Sequence, residues 1–172
     1  LTIGKDVKVT TKDELCVWIA GKGATLNVYG NLQSGGKNPV IQGNGTRDGS
    51  TNNGGTAINI YDGAVLKTNS VVMYLPQSGE VNISGGLLEG NAGIGIKSGT
   101  LNITGGTVRG VANDDVLGDE HSATNGIATD GSAIVIDSYI GYAGEMKLNI
   151  SGDANIETSK VLLGKIASWF VT

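Results

Sequence analysis

A series of asparagines and two tyrosines are the residues in this chain best suited to recognition chemistry. Asn27, Asn59, Asn82 and Asn102 each sit between aliphatic neighbours, as in Ile58-Asn-Ile60 and Leu101-Asn-Ile103. Tyr29 and Tyr61 follow two residues after the first two of these. An amide offers both donors and acceptors. A phenol ring brings an apolar face and a polar tip at low entropic cost. Together they suit a sugar, which has an apolar ring face and hydroxylated edges. The competing reading is structural: amides bonding to one another along a stack and tyrosines pairing across strands.

A second group is acidic. Asp114, Asp115, Asp119 and Glu120, with Asn113, Gly118 and Asp130 nearby, could supply oxygen ligands to Ca²⁺, which takes about six to eight. Their spacing does not fit an EF-hand loop, and a solvated acidic loop is the alternative. No other cofactor is implied.

Catalytic groups are sparse. His121 is the single histidine, so a Ser-His-acid triad would have to use it, and no serine stands in a nucleophile context. Glycoside hydrolysis needs two carboxylates about 5–9.5 Å apart. Glu80 is the one acid on the asparagine-bearing face, while Asp62 and Asp153 fall where turns need turn formers. Arg47 and Arg109 are the only arginines available as a lyase base, and Arg109 lies away from the asparagines. The expectation is a non-catalytic chain, with a polysaccharide lyase or glycoside hydrolase as the least supported alternative. Cys16, alone in the apolar run Leu15-Cys-Val-Trp-Ile19, reads as a packed structural thiol.

The elements that must position these residues come from a repeat. One unit recurs: Leu1-Thr-Ile-Gly4, Leu26-Asn-Val-Tyr-Gly30, Ile58-Asn-Ile-Tyr-Asp-Gly63, Val81-Asn-Ile-Ser-Gly-Gly86, Leu101-Asn-Ile-Thr-Gly-Gly106 and Leu148-Asn-Ile-Ser-Gly152. Its starts are separated by 25, 32, 23, 20 and 47 residues. The shortest step reads as a bare coil and the longer ones as coils with inserted loops. After each turn comes a second apolar piece, such as Val65-Leu66, Leu87-Leu88 or Thr107-Val108. A third follows, such as Val71-Val-Met73, Ile94-Gly-Ile96 or Ala133-Ile-Val-Ile136.

Three short strands per coil, punctuated by Gly, predict an all-β chain. The expected architecture is a right-handed, single-stranded parallel β-helix (β-solenoid) of about six coils. The 29 glycines and low aromatic content fit thin aliphatic layers with tight corners. Leu-Asn-Ile alternates inward and outward. Thr2, Asn27, Asn59, Asn82, Asn102 and Asn149 should then form one outward row, and Tyr29, Tyr61, Ser84, Thr104 and Ser151 the next.

Residues 1–172 read as one such domain, cut from a longer protein that would carry any targeting or anchoring segment. Loops are expected at 44–55 and 111–132, leaving different corners, and 165–172, with Trp169 and Phe170, reads as a C-terminal cover or as the start of a further coil in the longer protein. Net charge is −4, which disfavours nucleic acid as a partner. No apolar run approaches the length of a membrane span.

The run Ser78-Gly-Glu-Val-Asn-Ile-Ser-Gly-Gly-Leu-Leu-Glu-Gly90, followed by Gly93-Ile-Gly-Ile-Lys-Ser-Gly-Thr-Leu-Asn-Ile-Thr-Gly-Gly-Thr-Val-Arg-Gly110, resembles the Gly-rich parallel β-helix repeats of adhesin-like surface proteins of Gram-positive gut bacteria. Tyr74-Leu-Pro-Gln-Ser-Gly79 and Ile41-Gln-Gly-Asn-Gly45 are similar to the same group. The chain is also similar to β-helices of phage fibres and head decoration. The resemblance covers nearly the whole chain and brings no catalytic residues.

It implies an extracellular, cell-surface recognition module whose partner is a polysaccharide or host-surface glycan. The alternatives are a phage virion part or a plain structural spacer, docking to protein end to end or laterally. The acceptor-type tripeptides at Asn44, Asn82, Asn102 and Asn149 would carry no meaning in such a setting, the last three arising from the repeat itself.

Overall fold

The computed structural model describes residues 1–46, 51–111, 131–136, 145–159 and 161–163. Among them the chain is all-β, with no helix, and every pairing between named strands is parallel. No helix there is long and apolar enough to cross a membrane.

Three rows of strands recur in chain order. The first holds β1 (Thr2–Ile3), β4 (Thr25–Val28), β7 (Thr56–Ile60), the first half of β10 (Gly79–Gly90), the first half of β12 (Gly99–Gly110) and β14 (Met146–Ile150). The second holds β2 (Lys8–Thr11), β5 (Asn31–Ser34), β8 (Val65–Thr68), the second halves of β10 and β12, and β15 (Asn155–Thr158). The third holds β3 (Val17–Trp18), β6 (Ile41–Gln42), β9 (Val71–Leu75), β11 (Ala92–Ile96), β13 (Ser132–Ile136) and β16 (Val161–Leu163).

The first two rows join into one ten-stranded sheet because β10 and β12 run through the corner between them. The third row is a separate six-stranded sheet. The repeat predicted three separate strands here. The corner stays paired because Gly85-Gly86 and Gly105-Gly106 stack backbone on backbone. A Cβ on Gly105 would lie 2.6 Å from the Ser84 carbonyl oxygen, so only Gly permits that approach. The register shifts on either side of Ser84, as a β-bulge.

The alternation of apolar and polar residues explains the core. In β4 and β7, Leu26, Val28, Ile58 and Ile60 are buried while Asn27 and Asn59 are half-buried. These residues join Met73, Ile94 and Ile134 of the third row in one apolar cluster shared by both sheets.

Strand β5 was not legible as an apolar piece, because Asn31-Leu-Gln-Ser34 carries a single aliphatic. Leu32 and Ser34 both point inward. Ser34 donates to the carbonyls of Glu14 and Asn38, and Ser70 to that of Lys37, so these buried hydroxyls secure loop backbone.

The insertion at 44–55 begins and ends as a narrow hairpin, with an antiparallel bridge between Gly45 and Asn52. Its base is tied to both neighbours. Asn53 donates to the Ala20 carbonyl at 2.6 Å, and Asn52 both donates to and accepts from Ser78. Most of the expected loop at 111–132, and the expected cover at 165–172, lie outside the described residues.

Candidate functional site

The first row of strands presents the asparagines in register: Thr2 beside Asn27, then Asn59, Asn82, Asn102 and Asn149. Parallel strands about 4.8 Å apart bring identical side chains within bonding distance. Each amide Nδ2 donates to the Oδ1 before it: Asn59 to Asn27 at 2.9 Å, Asn82 to Asn59 at 3.0 Å, Asn102 to Asn82 at 2.8 Å and Asn149 to Asn102 at 2.8 Å. The row ends at Thr2, whose hydroxyl accepts from Asn27 at 3.5 Å. A primary amide has two N–H groups and two acceptor positions. The ladder uses one of each on every interior asparagine and leaves one of each for an outside partner.

Tyr29 and Tyr61 stand two residues further along, just past the ends of β4 and β7. Their rings are stacked with centroids 4.2 Å apart and planes 4° from parallel. Desolvation, and then the neighbouring Tyr29 hydroxyl, push the Tyr61 phenol up from its ordinary value. Continuing the register by one residue places Gly4 beside Tyr29 and Ser84 beside Tyr61. Both are small, so neither covers the outer face of a ring with a large side chain.

Beside the pair, the corner between the first and second strand rows forms an open groove of about 450 Å³. Its floor is the backbone of Gly85-Gly86 and Gly105-Gly106. Ser84 and Thr104 line one side, Val65 and Leu87 the other, and the carboxylates of Asp62 and Asp153 belong to the turns at its two ends. The glycine pairs make the groove: where the turns after β7 and β14 carry Tyr-Asp-Gly-Ala and Ser-Gly-Asp-Ala, the corners within β10 and β12 between them carry Gly-Gly and no side chain. Ser84 and Thr104 donate to the carbonyls of Ile60 and Ile83, at 3.2 and 3.3 Å, which commits their hydroxyl protons to the backbone.

The structure thus brings the predicted Tyr29, Tyr61, Asn27, Asn59, Asn82 and Asn102 onto one face. Asp62 and Asp153 were read from sequence as turn formers only. Their shared groove depends on the two glycine-only corners stacked between them, a contrast between strands distant in sequence. Asp114, Asp115, Asp119, Glu120 and His121 lie outside the described residues. Among those that are described, no three His, Cys, Asp or Glu side chains are grouped to hold a metal.

A charge ladder on the second strand row was also missed. Lys67, Glu89, Arg109 and Glu157 are in register. Lys67 contacts Glu89 at 3.0 Å, and Arg109 bridges Glu89 at 2.7 Å and Glu157 at 2.5 Å. The Lys67 ammonium is the chief influence holding the Glu89 carboxyl below its ordinary range; burial opposes it, and the Arg109 guanidinium adds to the lowering. Arg109 and Asn155 do the same for Glu157. The signal was available, since each member follows the last apolar residue of its second strand: Leu66, Leu88, Val108 and Ile156.

Comparison of the chain with protein-family models, with curated proteins and with solved structures found no match.

Proposed function

We propose that this chain is a right-handed parallel β-helix whose first face and adjoining corner bind polysaccharide at an extracellular surface. The observation that carries the reading is the stacked Tyr29–Tyr61 pair set beside an open groove with hydroxyls on one wall and aliphatic groups on the other. A sugar needs that combination: an apolar patch for its ring face and polar atoms for its rim. The β-helix reading is supported by three strand rows that recur in one order with parallel pairing throughout. Binding is non-catalytic in this reading. Asp62 and Asp153 stand three strand spacings apart, about 14 Å along the stack, whereas paired glycosidase carboxylates stand at most about 9.5 Å apart.

A glycan array probed with the isolated chain, in Ca²⁺ and then in chelator, tests this. Retention of one polysaccharide class is expected, and the joint substitution Tyr29→Ala and Tyr61→Ala should abolish it without loss of the β circular-dichroism signal. Retention that survives the double substitution would remove the tyrosine face from the site. Loss of retention in chelator would bring the carboxylates of Asp114, Asp115, Asp119 and Glu120 in as Ca²⁺ ligands.

A structural role, as a spacer or a particle-decoration element docking to other proteins, is the second reading. It is favoured by the two ladders, whose members bond chiefly to one another. Silence across the array in both conditions would select it.

A further inference from the structure

We propose that Tyr29 and Tyr61 form a site of oxidative cross-linking, joined into a dityrosine by a one-electron oxidant of the peroxidase and hydrogen peroxide class. Two phenols couple when both have been oxidised to phenoxyl radicals and those radicals meet, so free side chains must find each other first. Here the contact is built in. The rings lie 4.2 Å apart and 4° from parallel. They project from equivalent positions of neighbouring parallel strands, one residue beyond the Val28–Ile60 pair, so the two rings meet face to face. Both side chains are half-exposed, open to electron transfer at the surface.

The chemistry balances without further reagents. Each phenol gives up one electron and one proton, and hydrogen peroxide takes up two of each and leaves as two waters. The two phenoxyl radicals pair their unpaired electrons in a carbon–carbon bond between ortho positions. The hydrogens on those carbons then move to the oxygens, and both rings regain aromaticity. The protein loses two hydrogens in all.

The bond would tie the end of β4 to the end of β7 and close the intervening chain, including the hairpin based at Gly45 and Asn52, into a covalent loop. Closing a loop restricts the unfolded chain more than the folded one. The cross-link therefore acts as a staple between two successive turns of the stack, and it stands whether or not the same face binds a glycan.

Treatment of the intact chain with peroxidase and limiting hydrogen peroxide tests the proposal, read by intact mass, dityrosine fluorescence and identification of linked peptides. The expected product is a monomer lighter by two hydrogens, with the linkage between the peptides carrying Tyr29 and Tyr61 and a raised thermal midpoint. Tyr29→Phe and Tyr61→Phe, which keep a stackable ring but no phenol, should each abolish that product. The proposal is overturned by linkage chiefly between molecules or through Tyr74, Tyr139 or Tyr142. It is equally overturned by the same intramolecular yield in urea as in buffer, or by no dityrosine under conditions that couple free tyrosine.

Discussion

Asn82 takes part in two side-chain hydrogen bonds at once, donating to Asn59 and accepting from Asn102. Replacing it by Ala removes both and leaves one donor and one acceptor of its neighbours to water. Because the row is only half-buried, each bond contributes modestly, and Asn82→Ala should cost about 1–2 kcal/mol in urea unfolding. Thr2→Ala at the end of the row removes one long contact and should cost less. Equal losses at the two positions would show that the amides do not act as a ladder. Cys16 offers a second test. Burial pushes its thiol up from the ordinary value, against smaller opposing hydrogen bonds from Thr11 and from backbone. Since the thiolate is the reactive form, Cys16 should react with a disulfide reagent more slowly in the folded chain than in urea.

Turns and strand rows set a different class of outcome. Gly63 and Gly106 both have φ in the left-handed region, at 82° and 77°. A Cβ on Gly63 would meet nothing within 4 Å, whereas one on Gly106 would lie 2.5 Å from the Gly85 carbonyl carbon. Gly63→Ala should therefore cost only the backbone term, about 1–2 kcal/mol. Gly106→Ala must also push two stacked turns apart and should cost clearly more in the same measurement.

The charge ladder predicts a pH dependence. Glu89 and Glu157 titrate lower in the folded chain than in the unfolded one. Their contribution is therefore fully present above the unfolded carboxyl range and is lost as pH falls through the lowered folded values. Urea midpoints should fall from pH 5 toward pH 3, and Glu89→Gln should flatten that fall. An unchanged slope would mean that the exposed pairs contribute nothing, as many surface pairs do.

Across the molecule the apolar column binds the rows together. Ile83 is 1% exposed and lies in register between Ile60 and Ile103. Ile83→Ala should leave a cavity in the middle of the stack and cost about 2–5 kcal/mol. In hydrogen exchange, the amides of β7, β10 and β12 should lose protection together, since each strand is paired to the next. Protection lost in β10 alone would mean that the rows open independently.

The asparagine row is legible in the sequence because Asn27, Asn59, Asn82, Asn102 and Asn149 occupy one place in a repeated apolar–polar–apolar unit. In parallel strands that alternation dictates facing, and in-register stacking brings like residues together. The stacking of Tyr29 on Tyr61 follows from the same rule, as does the inward column of Leu and Ile. The groove does not. It arises because two turns lack side chains while the turns on either side carry Asp62 and Asp153, a contrast that exists only between strands distant in sequence. The salt bridges of Arg109 likewise need Glu89 and Glu157 brought in from both sides, and β5 owes its place to the neighbours that pair with it. Local pattern specifies which way a side chain faces; the stacking of one turn on the next specifies what it faces.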